Sequence, residues 1–344
     1  MTLQTKGKTD FDPQDLLGYL RAHFQTKDPM HVSRISGGQS NPTYFVDFGQ
    51  RRLVLRKQPN GPILKGAHAI DREYRVLEAL RPTDVPVPYP VLYCDQPDVL
   101  GTPFYIMQRV DGRIFTDTTL AELSSEKRRD IWMAVADALA AMHRVEPNDV
   151  GLEDFGRPGN YFERQIGRWG KQYLQSPSDR IPDLDVVYDW LPKNLPVDDG
   201  EVCLCHGDFR LGNLMFHPTE PKVVAILDWE LSTLGHPMAD LGFCCMPWHT
   251  APDEYGGLLG ADLDAMNLPD EAEFVARYIE KIDRPVVLLS FHKIFALFRF
   301  AVIFVGISDR AKAGTAADPQ AAGYAHLAGR FAKRAVDLIA QHRS

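Results

Sequence analysis

Cysteine is scarce in this chain, and runs of basic residues are missing. Five cysteines in 344 residues, an odd number, argue against a disulfide framework in a chain of this size. Neither Cys203-x-Cys205 nor the adjacent Cys244-Cys245 has a zinc-binding spacing, and Cys94 stands alone. All thiols are therefore expected to be reduced, in a cytoplasmic protein. A net charge of −8 without any Lys/Arg-rich run argues against nucleic-acid binding. Residues 1–12 are polar and contain no apolar signal-peptide segment, and no internal repeat is visible. Long apolar runs are limited to one, residues 286–307, which approaches the span of a bilayer helix. Ser290, His292, Lys293 and Arg299 interrupt it, and charge at a helix centre is costly in lipid. Its apolar residues cover nearly every face of the helical wheel, which predicts a buried core helix and no membrane insertion. His292 and Arg299, seven residues apart, share one line of that helix. They either face a site or are satisfied at the edge of the core.

A hydrophobic content of 44% and a charged content of 24% are those of a soluble globular protein. The length suffices for one large two-lobed domain or two ordinary ones. The informative stretch is Cys205-His206-Gly207-Asp208-Phe209-Arg210-Leu211-Gly212-Asn213, followed by Ile226-Leu227-Asp228-Trp229-Glu230. Asp208 stands five residues ahead of an amide, Asn213, and a second carboxylate, Asp228, follows a short apolar strand. Phosphoryl transfer needs these groups. One acid receives a hydroxyl proton, while an amide and a second acid hold magnesium on the phosphates. Short strands are expected at 202–204, 214–216 and 223–227, with a turn at 217–221, a hairpin that returns Asp228 toward Asn213. Arg210 lies on the same loop and is a catalytic candidate beside Asp208.

Upstream, residues 13–24 have helical spacing with Asp12 as N-cap. Two strands flank the turn Gly37-Gly38-Gln39-Ser40-Asn41, a hairpin tip whose backbone N–H groups suit phosphate oxygens. Gly37, Gly38 and Ser40 are therefore nucleotide-binding candidates. The next strand ends in Arg56-Lys57, and alternation turns only one of these cations toward a nucleotide. Alignment on Val54 favours Arg56, with Lys57 as the alternative. The helix at 71–80 predicts Ile70, Tyr74, Leu77 and Leu80 as its buried face. Glu73 borders that face as partner for Arg56, and Glu78 is the competing, more exposed candidate. Gln108 and Val110 lie where a hinge would bind adenine through its backbone. Long helices are predicted at 129–143 and 161–173, and further ones at 271–282 and 321–342. Asp240 either braces the catalytic loop or simply places a charge at a helix N-terminus.

The spacing His206-x-Asp208-x4-Asn213 is that of a kinase catalytic loop, with Gly207 where protein kinases carry Arg and Asp228-Trp229-Glu230 where they carry Asp-Phe-Gly. This version resembles the aminoglycoside phosphotransferase and choline kinase family. The resemblance implies an α+β, two-lobed protein-kinase-like fold. A small antiparallel-sheet lobe at 1–107 would bind the nucleotide, and a larger, mainly helical lobe at 108–344 would carry catalysis. It also implies ATP and Mg2+ as cofactors, and a small-molecule hydroxyl as acceptor. Longer matches look like one subgroup, the phosphotransferase-like domain fused to some acyl-CoA dehydrogenases. They comprise 37–43, 55–59, 231–235, Arg164-Gln165-x2-Arg168-Trp169 and Phe298-Arg299-x6-Gly306-Ile307. Many relatives have Lys where this chain has Arg56.

The fusion partner suggests a hydroxyacyl or other anionic acceptor, which the stripe Arg164, Arg168 and Lys171 would suit. The acidic cluster Asp183, Asp185, Asp189, Asp198 and Asp199 would instead suit an aminoglycoside or choline-like cation. A nucleotide-binding pseudokinase without turnover is the rival from another class.

Overall fold

The computed structural model describes residues 3–35, 41–61, 68–157, 159–314 and 321–342. The chain forms two compact units, Met1–Gly112 with Val224–Glu230, and Arg113–Val223 with Leu231–Ser344. The division thus falls at Gly112, and the segment carrying Asp228 joins the first unit.

In the first unit, β1 (Leu3–Lys6), α1 (Pro13–Phe24), β2 (Met30–Arg34), β3 (Thr43–Phe48), β4 (Arg51–Lys57), α2 (Ile70–Leu80), β5 (Pro90–Cys94), α3 (Pro97–Leu100) and β6 (Phe104–Gln108) follow in order. The sheet runs β1-β2-β3-β4-β6-β5. Strand alternation buries Tyr44, Val46 and Phe48 from β3 and Leu53 and Leu55 from β4. Onto this face α1 packs Leu16, Leu17 and Leu20. Its start is fixed by Asp12, whose side chain accepts the Gln14 N–H, and by Pro13 at the first position.

Five of the strands are antiparallel neighbours, as expected. The polar N-terminal segment adds a sixth, β1, which pairs parallel with β2 and makes the sheet mixed. Pairing with an existing edge overrides the weak strand preference of that segment. The buried face of α2 carries Ile70, Glu73, Val76, Leu77 and Leu80. Tyr74, expected inside, is half-buried at its border, where its hydroxyl donates to Glu78 at 3.3 Å.

The second unit begins with β7 (Arg113–Ile114), α4 (Ser125–Arg144), α5 (Tyr161–Leu174), α6 (Pro182–Trp190), β8 (Cys203–Cys205) and β9 (Leu214–Phe216). A turn closed by the His217 N–H on the Lys222 carbonyl then leads into β10 (Val223–Ile226), which from Val224 onward belongs to the first unit. After it come β11 (Thr233–Gly235), α7 (Pro237–Cys244), α8 (Leu263–Met266), α9 (Glu271–Ile282), α10 (Ser290–Lys312) and α11 (Leu327–His342). β7 pairs antiparallel with β9, and β8 with β11, the latter strand unannounced by its sequence.

The core of this unit is built around α10, which buries Phe291, Ile294, Phe295, Phe298 and Val302 against α5, α6, α7 and α11. By length and composition α10 would cross a membrane, yet 72% of its most apolar window is buried within the protein. That is the predicted core helix. His292 and Arg299 do not lie satisfied at the core's edge. Both are buried, and His292 Nε2 and Arg299 Nε have no hydrogen-bond partner among the described residues. The Arg299 guanidinium instead lies over the rings of Phe243 at 5.1 Å and Trp169 at 5.8 Å.

Phe295 is fully buried, edge-on to Phe162 at 5.3 Å. Phe295→Ala is expected to cost about 3–5 kcal/mol through lost burial and a residual cavity. The shift of the urea midpoint measures it, and a change within error would show that α10 does not carry this core.

Candidate active site

Within the second unit, three all-buried residues of β8 lead directly into the loop that bears Asp208. Gly207 turns the chain at φ +84°, and a Cβ there would stand 2.7 Å from the Leu231 carbonyl oxygen, so only glycine fits. The carboxylate of Asp240, in the first turn of α7, accepts the His206 N–H at 2.6 Å and the Gly207 N–H at 3.0 Å. Its Oδ2 also lies 3.5 Å from His143 Nε2. Asp240 therefore braces the loop. Burial works against its charge, but the bond with His143 and the loop N–H groups hold its carboxyl below the usual range.

Asp208 itself is a quarter exposed, at 25%. Its N–H donates to His206 Nδ1 at 3.1 Å, and Phe209 anchors the next position in the core. Asn213 Nδ2 donates to the Asp208 carbonyl at 2.9 Å and to its Oδ2 at 2.7 Å. Arg210 Nε reaches the same Oδ2 at 3.2 Å. These bonds use the amide hydrogens of Asn213 and leave its carbonyl oxygen, a hard donor of the kind Mg2+ takes. They also leave Asp208 Oδ1 outside the cluster.

Within the first unit, Arg56 and Lys57 part as alternation requires. Arg56, 14% exposed, sets its Nε 2.8 Å from Glu73 Oε2 and its Nη2 2.5 Å from Asp228 Oδ1. Burial opposes its charge, yet Glu73 and Asp228 among its neighbours raise it above the ordinary arginine range. Glu73 is also held by Asn41 Nδ2 at 2.7 Å and Tyr105 Oη at 3.0 Å. Lys57, the alternative, is fully buried with its ammonium on Asp10 at 3.1 Å and Asn60 at 3.0 Å, a structural pairing. Glu78 stays at the surface with Arg81. Asp228 adopts φ +64°, a strained conformation for a residue with a Cβ. Trp229 pins that turn by donating from its indole to the Ile226 carbonyl at 3.1 Å.

Gly37, Gly38 and Ser40 lie outside the described residues. The Gln108 N–H is engaged by the Tyr89 carbonyl at 2.8 Å and is not available to adenine. Val110, half-buried, has no partner for its N–H among the described residues and keeps the hinge role open. Asn41 and Tyr105 escaped the sequence reading as site residues, although Asn41 sits in the quoted glycine-turn motif.

Residues 31–278 match the model of the phosphotransferase enzyme family, more than half of the chain. The chain belongs to that family, one of small-molecule kinases. A candidate aminoglycoside phosphotransferase from Ralstonia eutropha has a solved structure 42% identical in sequence, with a TM-score of 0.88 over 96% of this chain and 99% of that one. A probable acyl-CoA dehydrogenase of Arabidopsis thaliana is 42% identical over 83% of this chain and 37% of its own length. Acyl-CoA dehydrogenase family member 11 of Gallus gallus is 38% identical over 91% of this chain and 41% of its own. The chain thus spans about two-fifths of these curated relatives. A thermostable mutant of aminoglycoside phosphotransferase APH(4)-Ia, solved with ADP and hygromycin B, is 14% identical over 94% of this chain and 98% of that one. Its TM-score of 0.62 shows the shared kinase-like phosphotransferase fold.

Cavities open within the second unit among the described residues of this phosphotransferase. One, of about 80 Å³, is walled by the catalytic loop at Phe209, Arg210, Leu211 and Gly212 and by Trp132, Phe243 and Phe300 among other apolar groups. Another, of about 640 Å³, lies beside Arg164 and His236 with Glu153, Asp198 and Glu201 on its wall. The residues of the basic stripe differ in their surroundings. Arg168 and Lys171 are exposed, and Arg164 donates to the Gly159 carbonyl. The acidic cluster is equally dispersed, with Asp185 on Arg180 and Tyr173, and Asp199 on His236.

Asp240→Asn removes the charged brace and is expected to cost about 1.5–3 kcal/mol at neutral pH. Because the folded pKa is depressed, this contribution is full above about pH 4 and is lost as pH falls through the folded value. Urea midpoints of both proteins should therefore converge in acid. A difference that stays constant down to about pH 3 would show that the carboxylate is not ionised in the fold.

Proposed function

We propose that this chain transfers the γ-phosphoryl group of ATP to the hydroxyl of a small molecule that carries an apolar chain, of the hydroxyacyl type. The supporting observation is the braced loop. It presents the Asp208 carboxylate and forms, with its next four residues, the wall of an apolar cavity. Asp208 takes the acceptor's hydroxyl proton as that oxygen bonds to the γ-phosphorus, and the bond to the β-phosphate oxygen breaks to release ADP. Arg210 orients Asp208 through their shared contact. Arg56, held by Glu73, is the phosphate-binding cation of the nucleotide unit. The sequence pattern assigns Asn213 and Asp228 as the oxygen ligands of Mg2+, which would neutralise charge on the phosphates.

An apolar acceptor is favoured over a cationic antibiotic by the cavity's one carboxylate. Glu254 is already engaged by both nitrogens of an Arg334 fork, at 2.8 and 3.0 Å. A polycationic sugar needs free acids there, and the dispersed acidic cluster does not supply them. The pseudokinase alternative leaves the preorganised Asp208 and Asn213 pair without a role.

The test is a panel of hydroxyacyl-CoA thioesters and free hydroxy acids set against aminoglycosides and choline, with ATP and Mg2+. Turnover is expected with the acyl compounds. Asp208→Asn should lower kcat by about 10²–10⁴-fold or more while nucleotide binding is kept. Arg168→Ala should leave turnover unchanged, because that side chain is solvated. Preferred turnover of an aminoglycoside overturns the acceptor assignment, and full activity in Asp208→Asn overturns the base.

A further inference from the structure

One buried cluster has no part in phosphoryl transfer. A ligand atom from each of His143, Cys203 and Cys205 lies within 4.8 Å of the others, and all three residues are fully buried. The sequence conceals this set, because the two thiols come from β8 and the imidazole from the last turn of α4, sixty residues earlier. Strand alternation puts the side chains of Cys203 and Cys205 on one face. Their sulfurs are 3.9 Å apart. Two thiolates bound tetrahedrally to zinc at about 2.3 Å stand about 3.8 Å from each other. The strand already holds them at the separation that zinc requires.

The imidazole is equally prepared. His143 Nδ1 lies 2.7 Å from Tyr278 Oη, and Nε2 lies 3.5 Å from Asp240 Oδ2. Whichever nitrogen ligates, the other keeps an oxygen partner, as metal-bound histidines do.

We propose that His143, Cys203 and Cys205 form a structural zinc site beneath the candidate catalytic loop. Donor type selects the ion: two thiolates and an imidazole are ligands that zinc takes in tetrahedral sites. Magnesium and calcium, which take oxygen, do not suit two sulfurs. On binding, two zinc–sulfur bonds and one zinc–nitrogen bond form, and both thiol protons leave to solvent. The weak Cys205 S–H contact to the His236 carbonyl, at 3.4 Å, is given up. The consequence is local to the loop. Cys205 immediately precedes His206, and Asp240 contacts both His143 and the loop N–H groups. Zinc would tie β8 to α4 at the point where the loop is braced.

The experiment is metal analysis of the untagged 344-residue chain, expressed with zinc and purified without chelator. About one zinc per chain is expected, together with a fall in Tm after chelator treatment. Replacement by Co2+ should give thiolate-to-cobalt charge-transfer absorption, a readout on the native sequence that needs no variant. Cys203→Ser/Cys205→Ser, or His143→Asn alone where the double variant does not fold, should lose the metal, while Cys94→Ser retains it. Protein that holds no zinc and shows no thiolate–cobalt absorption with excess Co2+ overturns the proposal. Zinc retained at full stoichiometry in the folded cysteine variant also overturns it.

Discussion

The fully buried Asp240 carboxylate carries the geometry of the catalytic loop. Its two oxygens receive consecutive backbone N–H groups at the end of β8, where the ladder with β11 has stopped and these donors would otherwise be orphaned. A charged acceptor makes such bonds about twice as strong as a neutral one. The peptide planes of His206 and Gly207 are thereby fixed, and Asp208 follows them directly. From the other side Asn213 grips both the carbonyl and the carboxylate of Asp208. The candidate base is held by its main chain and its side chain at once, which is the preorganisation that proton abstraction in a fixed direction requires.

The first unit solves a related problem with a cation between two acids. Burying an ion pair costs desolvation on both sides and is tolerated when extra hydrogen bonds satisfy the remaining lone pairs. Asn41 and Tyr105 supply them to Glu73. The planar fork of Arg56 then places Nε on Glu73 and Nη2 on Asp228, two carboxylates bridged by one side chain. A lysine is a point charge and has no second arm for this geometry. Arginine at position 56 therefore has a physical role here. It ties Asp228, held in a left-handed conformation, to the strand.

The placement of the candidate catalytic elements was legible because their information is local. His206, Asp208 and Asn213 fall within one loop, and the strand pattern after them locates Asp228. The Arg56 and Glu73 pair followed from strand alternation and helix phase, two rules that need only neighbouring residues. What escaped depends on residues far apart in sequence. β1 is a strand because an edge was available. Lys57 is neutralised by Asp10, 47 positions away, and His143 meets the thiols of β8. The Arg164, Arg168 and Lys171 stripe marks where such local rules end. A helical wheel correctly finds the polar face of α5, but it cannot say whether that face meets a ligand or water.

The placement of Asp240 is itself inherited from the hydrophobic core. α7 crosses α10 so closely that a Cβ on Gly242 would stand 2.8 Å from the His292 carbonyl oxygen. Contact at that distance is backbone against backbone, with no side chain able to absorb a shift. α10 in turn is fixed by Phe291, Ile294, Phe295 and Phe298, packed against α5 and α11. Close-packed interiors transmit displacement, so the order of dependence runs from aromatic core to α10, then α7, Asp240 and the catalytic loop. This ordering explains why a helix apolar enough for a membrane belongs at the centre of a kinase-like unit. Its hydrophobicity buries it on several faces at once, and the candidate base is positioned from it through α7 and Asp240.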